Sequence, residues 1–579
     1  MTMRPGFDER PWYQLTIHFF RGLFDFGVLS DAGSDAFRRM LIGIAAVTVS
    51  FGLLLTRMYL SKYTALSETF HDWGNGYKLN REPYHLAVLG DGALVIAFPM
   101  LIVGFVVALV GSSVFPDEID CRVLLPLPVS RRLIFATKAL AVMLFAGLFA
   151  VAAHVAMMPL VVLMGNSRWS DRGLLVQLAA HAFASLGASI VTALAIIAVA
   201  GALLICMPAS RLRTASIAFR GVCLFGLVLL VPLAFRLPTS GVLISRESTL
   251  FYVVPPAWFL GIEQVLLGNA TPYFLRLAQI GAAAALTSLA VAAGSYMFLY
   301  NRFEQVIFRS APSSDRTSRE RTGFILRRQT PDTAAAGPFI RATLTRSPLH
   351  QSVFVTIAAC GAGLVLNSFV SNWRARVPLN SDDPLIATVI WAPFALVLTM
   401  TVALRAALVL PIELRANWIF RVTEDDATRA EELSTVVRTL ILLGVALPLT
   451  LLVPVVWAVL GPRAIQCMSI AGLCGVVLVE LYMAEWRRIP FTCSYEPSRQ
   501  FVGQTLLIGI AAFVVFTTIG SRLALYSISH PAGWLAVMAI LGAIALYLRR
   551  QRLWMSQRAT LMFEDILPNE VEPLRLSEY

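Results

Sequence analysis

A chain of 579 residues that is 57% hydrophobic and only 14% charged lacks the polar surface needed to coat a core of that size. Soluble domains are roughly 45–50% apolar and about 25% charged, so the excess must face lipid, and the soluble and disordered classes are excluded. The net charge of +12 is carried almost wholly by arginine, with Lys62, Lys78 and Lys138 the only lysines. These charges fall in short segments between apolar runs, which is the pattern of membrane topology and not of a nucleic-acid groove.

In chain order, the first 39 residues carry Asp8, Glu9, Asp25 and five arginines, without the apolar stretch of a cleaved signal peptide. Residues 10–29 place Gln14, His18, Arg21 and Asp25 on one helical face, and Trp12, Leu15, Phe19, Leu23 and Phe26 on another. This predicts an amphipathic helix in the membrane interface, with packing on the helical bundle as the alternative. Twelve apolar runs follow, near 40–60, 92–114, 133–164, 174–206, 218–235, 274–300, 351–370, 385–411, 434–460, 465–485, 502–520 and 533–549. Each is close to the roughly 20 residues that cross a hydrocarbon core as a helix. The expected fold is therefore an all-α polytopic membrane protein of about twelve transmembrane helices in two six-helix halves.

With the N-terminus inside, the inner segments hold more than twice as many Lys and Arg as the outer loops. Both termini are thus expected to be cytoplasmic. Between the halves, residues 309–337 are rich in Ser, Pro and charge, the composition of a flexible linker. The domains read as 1–308, the linker, and 338–579, where residues 339–350 take the place that 10–29 holds in the first half. The halves resemble a diverged repeat in order: EIDCRVLLPLPVSRR (118–132) follows the second run, and ELRANWIFRVTEDDATR (413–429) follows the eighth.

The loop 115–132 is too apolar for a solvated tether, and Pro126 and Pro128 preclude one helix through its centre. A short rigid element with apolar and charged faces suits docking into a partner's groove. An ordinary loop with positive-inside arginines fits the same residues equally well. Ser130 is placed to cap the following helix.

An amphipathic helix, two spans, an acidic residue followed by LLPLPVSRRLIFATKALA, and four more spans together resemble the permease domain of type-2 ABC exporters. In that family the first cytoplasmic loop is a coupling helix seated on the nucleotide-binding subunit. The matching positions are Glu118, Leu125, Pro128, Ser130, Arg131, Arg132 and Lys138. The family also has a short re-entrant element between the fifth and sixth spans, where this chain has FYVVPPAWFLGIEQVLLG (251–268). The second half departs from the motif: Glu413, Arg415, Phe420 and Arg421 mark its coupling loop, but Thr423 and Glu424–Asp426 stand where Pro-Val-Ser-Arg-Arg is expected. The resemblance implies a permease subunit of an exporter in a bacterial inner membrane, a separate ABC ATPase as partner, and ATP used by that partner, with no cofactor bound by this chain. Whether the chain also dimerises is open.

A P-loop needs Gly-Lys-Ser/Thr to cradle phosphates, and none of the three lysines follows a glycine. The rival classes are a twelve-helix secondary transporter and a membrane-embedded lipid-modifying enzyme. The loop after the second span has no glycine beyond Gly111, so the major-facilitator signature is missing from it. Ionisable groups inside apolar runs are costly and often functional; here they are His154, His181, Arg405, Arg438 and Glu480. Glu480 is the best candidate for a lined cavity or a buried ion pair. Seven scattered cysteines without a CxxC pair, and Glu68, His71, Asp72 and His85 in the segment 61–91, fit no standard metal site. No catalytic or metal-binding residue is expected.

Overall fold

The computed structural model describes residues 10–23, 48–66, 82–111, 114–115, 124, 129–165, 172–309, 336–372, 384–410, 412, 426–484, 486, 489–491 and 502–558. Among them there is no strand, and the protein is an all-α, multi-pass membrane protein. Among the described residues ten helices are long and apolar enough to cross a membrane. The longest, Glu432–Met483, spans 52 residues but is a hairpin. Gly461 takes a positive φ of 58°, and the chain reverses there, so that a Cβ built on Gly475 would meet Val445 and one on Gly472 would meet Leu449. It thus holds two of the predicted runs. Of the first predicted run, the structure describes the helix from residue 48 onward.

The chain divides into two compact units, Met1–Ser313 and Ser314–Tyr579. The linker expected between them lies largely outside the described residues. In the first unit the helices are α1 (Pro11–Gly22), α2 (48–66), α3 (Glu82–Val110), α4 (Arg131–Met164), α5 (Leu174–Cys206), α6 (Ala209–Ala234), α7 (Pro255–Leu266) and α8 (Pro272–Arg309). The second unit has α9 (Ala336–Arg346), α10 (Pro348–Asn372), α11 (Pro384–Val409), α12 (Asp426–Leu440), α13 (Leu447–Leu460), α14 (Ala464–Met483), α15 (Val502–Ser529) and α16 (Pro531–Arg558).

In each unit one helix is central because it is apolar on every side. Of the most apolar window of α3, 67% is buried, and of α11, 61%, against 11–50% in the other spans. Helix α3 packs against α4, α5, α6 and α7, and α11 against α10, α13, α14 and α15. Helix α8 lies on α5 in the first unit, as α16 lies on α14 in the second. The two central helices also share Val-Ile-x-x-Pro: Val95, Ile96 and Pro99 in α3, and Val389, Ile390 and Pro393 in α11. Both valines are fully buried. The repeat expected from loop order therefore extends to helix packing.

The N-terminal amphipathic segment packs on the helical bundle. Helix α1 docks on α4, burying Thr16, Phe19 and Leu23, while Gln14, His18 and Arg21 stay exposed. Asp25 and Phe26 lie outside the described residues. Helix α9 repeats this on α12, with Ile340 1% exposed among Leu404, Leu408, Val436 and Leu440.

Between α6 and α8 the chain forms short helical turns at Leu237–Ser240, Gly241–Ser245 and Thr249–Val253 and then α7, filling the place expected for a re-entrant element. Pro255 and Pro256 open α7 at its first turn, where a missing N–H costs nothing. This cap fits tightly against α3: a Cβ on Gly241 would lie 1.9 Å from the Leu86 carbonyl oxygen, and one on Gly90 2.5 Å from that of Pro238. Between α12 and α13, residues Ile441–Ala446 widen into a π-turn. Pro448 cannot donate to the Gly444 carbonyl, and the Thr401 hydroxyl faces that oxygen at 3.5 Å, a long contact.

Candidate functional site

The start of α4 carries the described part of the first coupling motif. Ser130 caps the helix, its Oγ accepting from the Leu133 N–H at 3.3 Å, as its position predicted. Arg131 and Arg132 are exposed on the first turn. Lys138 is 6% exposed and lies beneath α1, its Nζ 4.6 Å from the centre of the Phe19 ring. Its ammonium is therefore spent within the unit instead of being offered to a partner at the loop. Leu124 is buried against the same core as Phe19 and Phe135. Glu118, Leu125 and Pro128 lie outside the described residues, as do Glu413, Arg415, Phe420 and Arg421 of the second loop.

Near that second loop, two backbone hydrogen bonds join the end of α11 to the segment after α14: the Phe491 N–H donates to the Leu408 carbonyl and the Ile412 N–H to the Phe491 carbonyl, both at 3.1 Å. Phe491 holds a φ of 69°, an uncommon conformation for a bulky residue. Its ring is packed by Phe339 and His350. His350 Nε2 in turn lies 3.0 Å from the Leu410 carbonyl and Nδ1 2.6 Å from Ser347 Oγ.

At the opposite end of the first unit, Asp91 of α3 is completely buried. It accepts from Lys62 Nζ of α2 at 2.7 and 2.8 Å and from the Tyr63 hydroxyl at 2.7 Å. Every strong acceptor direction used here points to α2, so the cluster pins α2 to α3. The sequence reading missed Asp91. Its available signal was a lone acid, flanked by Gly90 and Gly92, opening an otherwise apolar run.

The intramembrane histidines do meet. His154 of α4 and His181 of α5 have ring centroids 5.5 Å apart with planes inclined by 20°. They are 5% and 2% exposed. Glu263, on the cap helix α7, places Oε2 3.2 Å from His181 Nδ1. With the carboxylate accepting, that ring nitrogen carries the hydrogen. Both nitrogens of His154, Nε2 of His181 and the Ser185 hydroxyl are buried without a hydrogen-bond partner. Buried polar groups are nearly always satisfied, and an orphan costs about 1–3 kcal/mol, which sets this group apart from ordinary interhelical packing.

In the second unit, Glu480 of α14 forms a buried ion pair with Arg552 of α16. Arg552 Nε donates to one carboxylate oxygen at 2.7 Å and a terminal nitrogen to the other at 3.3 Å. The side chains are 4% and 5% exposed. Of the two roles expected for Glu480, the ion pair is the one it fills. Arg405 stacks over Tyr482, its guanidinium carbon 4.4 Å from the ring centre. Arg438 lies on an exposed face of α12. Among the described residues no three of His, Cys, Asp and Glu are gathered as a ligand set, and Cys206, Cys223, Cys360, Cys467 and Cys474 are free thiols.

No family model, no curated protein and no solved structure matches this chain.

Proposed function

We propose that the chain is the membrane-spanning subunit of an ABC-type exporter in a bacterial inner membrane. It lies with both termini in the cytoplasm and uses ATP hydrolysed by a separate ATPase. The observation that carries this reading is the construction of the α4 start. A Ser130-capped helix, braced by α1 through Phe19 over Lys138 and by buried Leu124, is a stiff element that follows the loop 116–128 in the sequence. Force applied to that loop by a partner would pass into α4 and, through packing, into α3. The second unit has a corresponding brace in α9 on α12, which supports two related halves each able to receive a push. The sequence holds no Gly-Lys pair, so the nucleotide site is assigned to another polypeptide.

Leu125→Asp tests the reading. An aspartate at an apolar anchor would be buried unpaired in the partner's groove, at a cost of about 3–5 kcal/mol, or a hundredfold or more in association. Tagged wild-type protein extracted from native membranes should co-purify a polypeptide bearing a Walker A motif, and Leu125→Asp should lose it while inserting normally. Retention of that ATPase at wild-type yield, or its absence from the wild-type preparation, refutes the reading.

A further inference from the structure

Lys62, Lys138 and Arg552 each meet a partner inside their own unit: the Asp91 carboxylate, the Phe19 ring and the Glu480 carboxylate. Arg405 differs. It is half-buried on the central helix α11, and its guanidinium lies over the ring of Tyr482 on the neighbouring α14. A ring face offsets part of the positive charge but offers no oxygen to the five N–H donors of a guanidinium. Among the described residues neither the Arg405 guanidinium nor the Tyr482 hydroxyl makes a hydrogen bond or an ion pair. Glu480, two residues before Tyr482, does not serve them. Two residues is about 200° around a helix, and both of its carboxylate oxygens are held by Arg552.

The group that would complete this pair has a definite chemistry. It is anionic, because a cation at membrane depth is costly without a counter-charge. It carries several acceptor oxygens, since a guanidinium holds oxyanions through paired N–H bonds and the phenol supplies one more donor. It is available near the membrane surface. Arg405 stands four residues before Val409, the last residue of α11, which is about 6 Å by helical rise, and a side chain of this length reaches the interface from there. Phosphate meets all three conditions, and a phospholipid headgroup presents it at that depth.

We propose that Arg405 and Tyr482 form a binding site for a phosphate group at the membrane surface, with a lipid headgroup as its source. The guanidinium binds the phosphate oxygens, the Tyr482 ring holds the guanidinium in place, and the Tyr482 hydroxyl donates beside it. An occupied site would seat a lipid at the seam of α11 and α14. The site depends on these two helices alone and stands apart from the ATP-driven reading, so either can fail without the other.

The test uses the full-length chain, delipidated in detergent and titrated with phosphatidylglycerol while bound lipid is counted by native mass spectrometry. The wild type should hold its first lipid about tenfold or more tightly than Arg405→Ala, the effect of losing a charge-assisted contact. Arg405→Lys keeps the charge without the planar fork and should fall between them. Tyr482→Phe keeps the ring, removes only the hydroxyl and should weaken binding a few-fold. Arg438→Ala, which removes an exposed arginine of α12, controls for bulk charge and should bind as the wild type does. Glycerol phosphate added during the titration separates the sources. Undisturbed lipid binding assigns the site to a headgroup, and Arg405-dependent competition extends it to soluble phosphate esters; both support a phosphate site. The proposal is overturned if wild type and Arg405→Ala hold the lipid equally, or if Arg438→Ala weakens it as much. Should Arg405→Ala fail to elute as a monodisperse species, Arg405→Lys and Tyr482→Phe decide: unchanged affinity in both overturns the site.

Discussion

Removing the carboxylate from the Glu480–Arg552 pair should be the most damaging single change in the core of the second unit. Both carboxylate oxygens are used, at 2.7 and 3.3 Å, and neither side chain is more than 5% exposed. In Glu480→Leu the guanidinium stays charged, because arginine does not deprotonate in proteins. Already one of its terminal nitrogens has no partner; the change would strip the rest. Breaking a buried pair in this way costs about 3–5 kcal/mol. Arg552→Leu leaves a carboxyl instead, which can take up a proton and become neutral, so its cost should be smaller. The double change Glu480→Leu/Arg552→Leu replaces the pair by apolar groups and should lie close to wild type, since such swaps are often neutral or stabilising. For a unit of this size about 1 kcal/mol moves the midpoint by roughly 2–4 °C, so Glu480→Leu should melt about 6–20 °C below wild type. Tryptophan fluorescence during heating of the protein in nanodiscs reads this directly. The reasoning is refuted if Arg552→Leu is the worse single change, or if the double variant is as unstable as Glu480→Leu.

Two further outcomes follow from the first unit. Gly241→Ala would force a Cβ to within 1.9 Å of the Leu86 carbonyl, so folded yield should collapse; Gly226→Ala, with open space around it, should leave the elution profile unchanged. Lys62→Met leaves the buried Asp91 carboxylate with the Tyr63 hydroxyl alone and should cost about 1–3 kcal/mol or more, lowering the melting midpoint, whereas Lys62→Arg should recover most of it.

The all-α class and most span positions were legible in the sequence because each rests on a local quantity, the length and composition of an apolar run. The cap at Ser130 was equally local, since Ncap chemistry involves only the next three residues. Glu480 could be singled out for the same reason, as one acid in an apolar run. Its partner could not, because Arg552 lies beyond the predicted end of the last run and reaches Glu480 only through the packing of α16 on α14. Which side chains meet across helices depends on rotational phase and relative depth, and no single helix's sequence specifies either. Tertiary structure alone therefore decided that α1 docks on α4 and draws Lys138 beneath Phe19, that Asp91 is held by α2, and that Glu263 descends from the cap onto His181. Composition and period along one chain set which residues enter the bilayer; the close packing of helices set which of them find partners there.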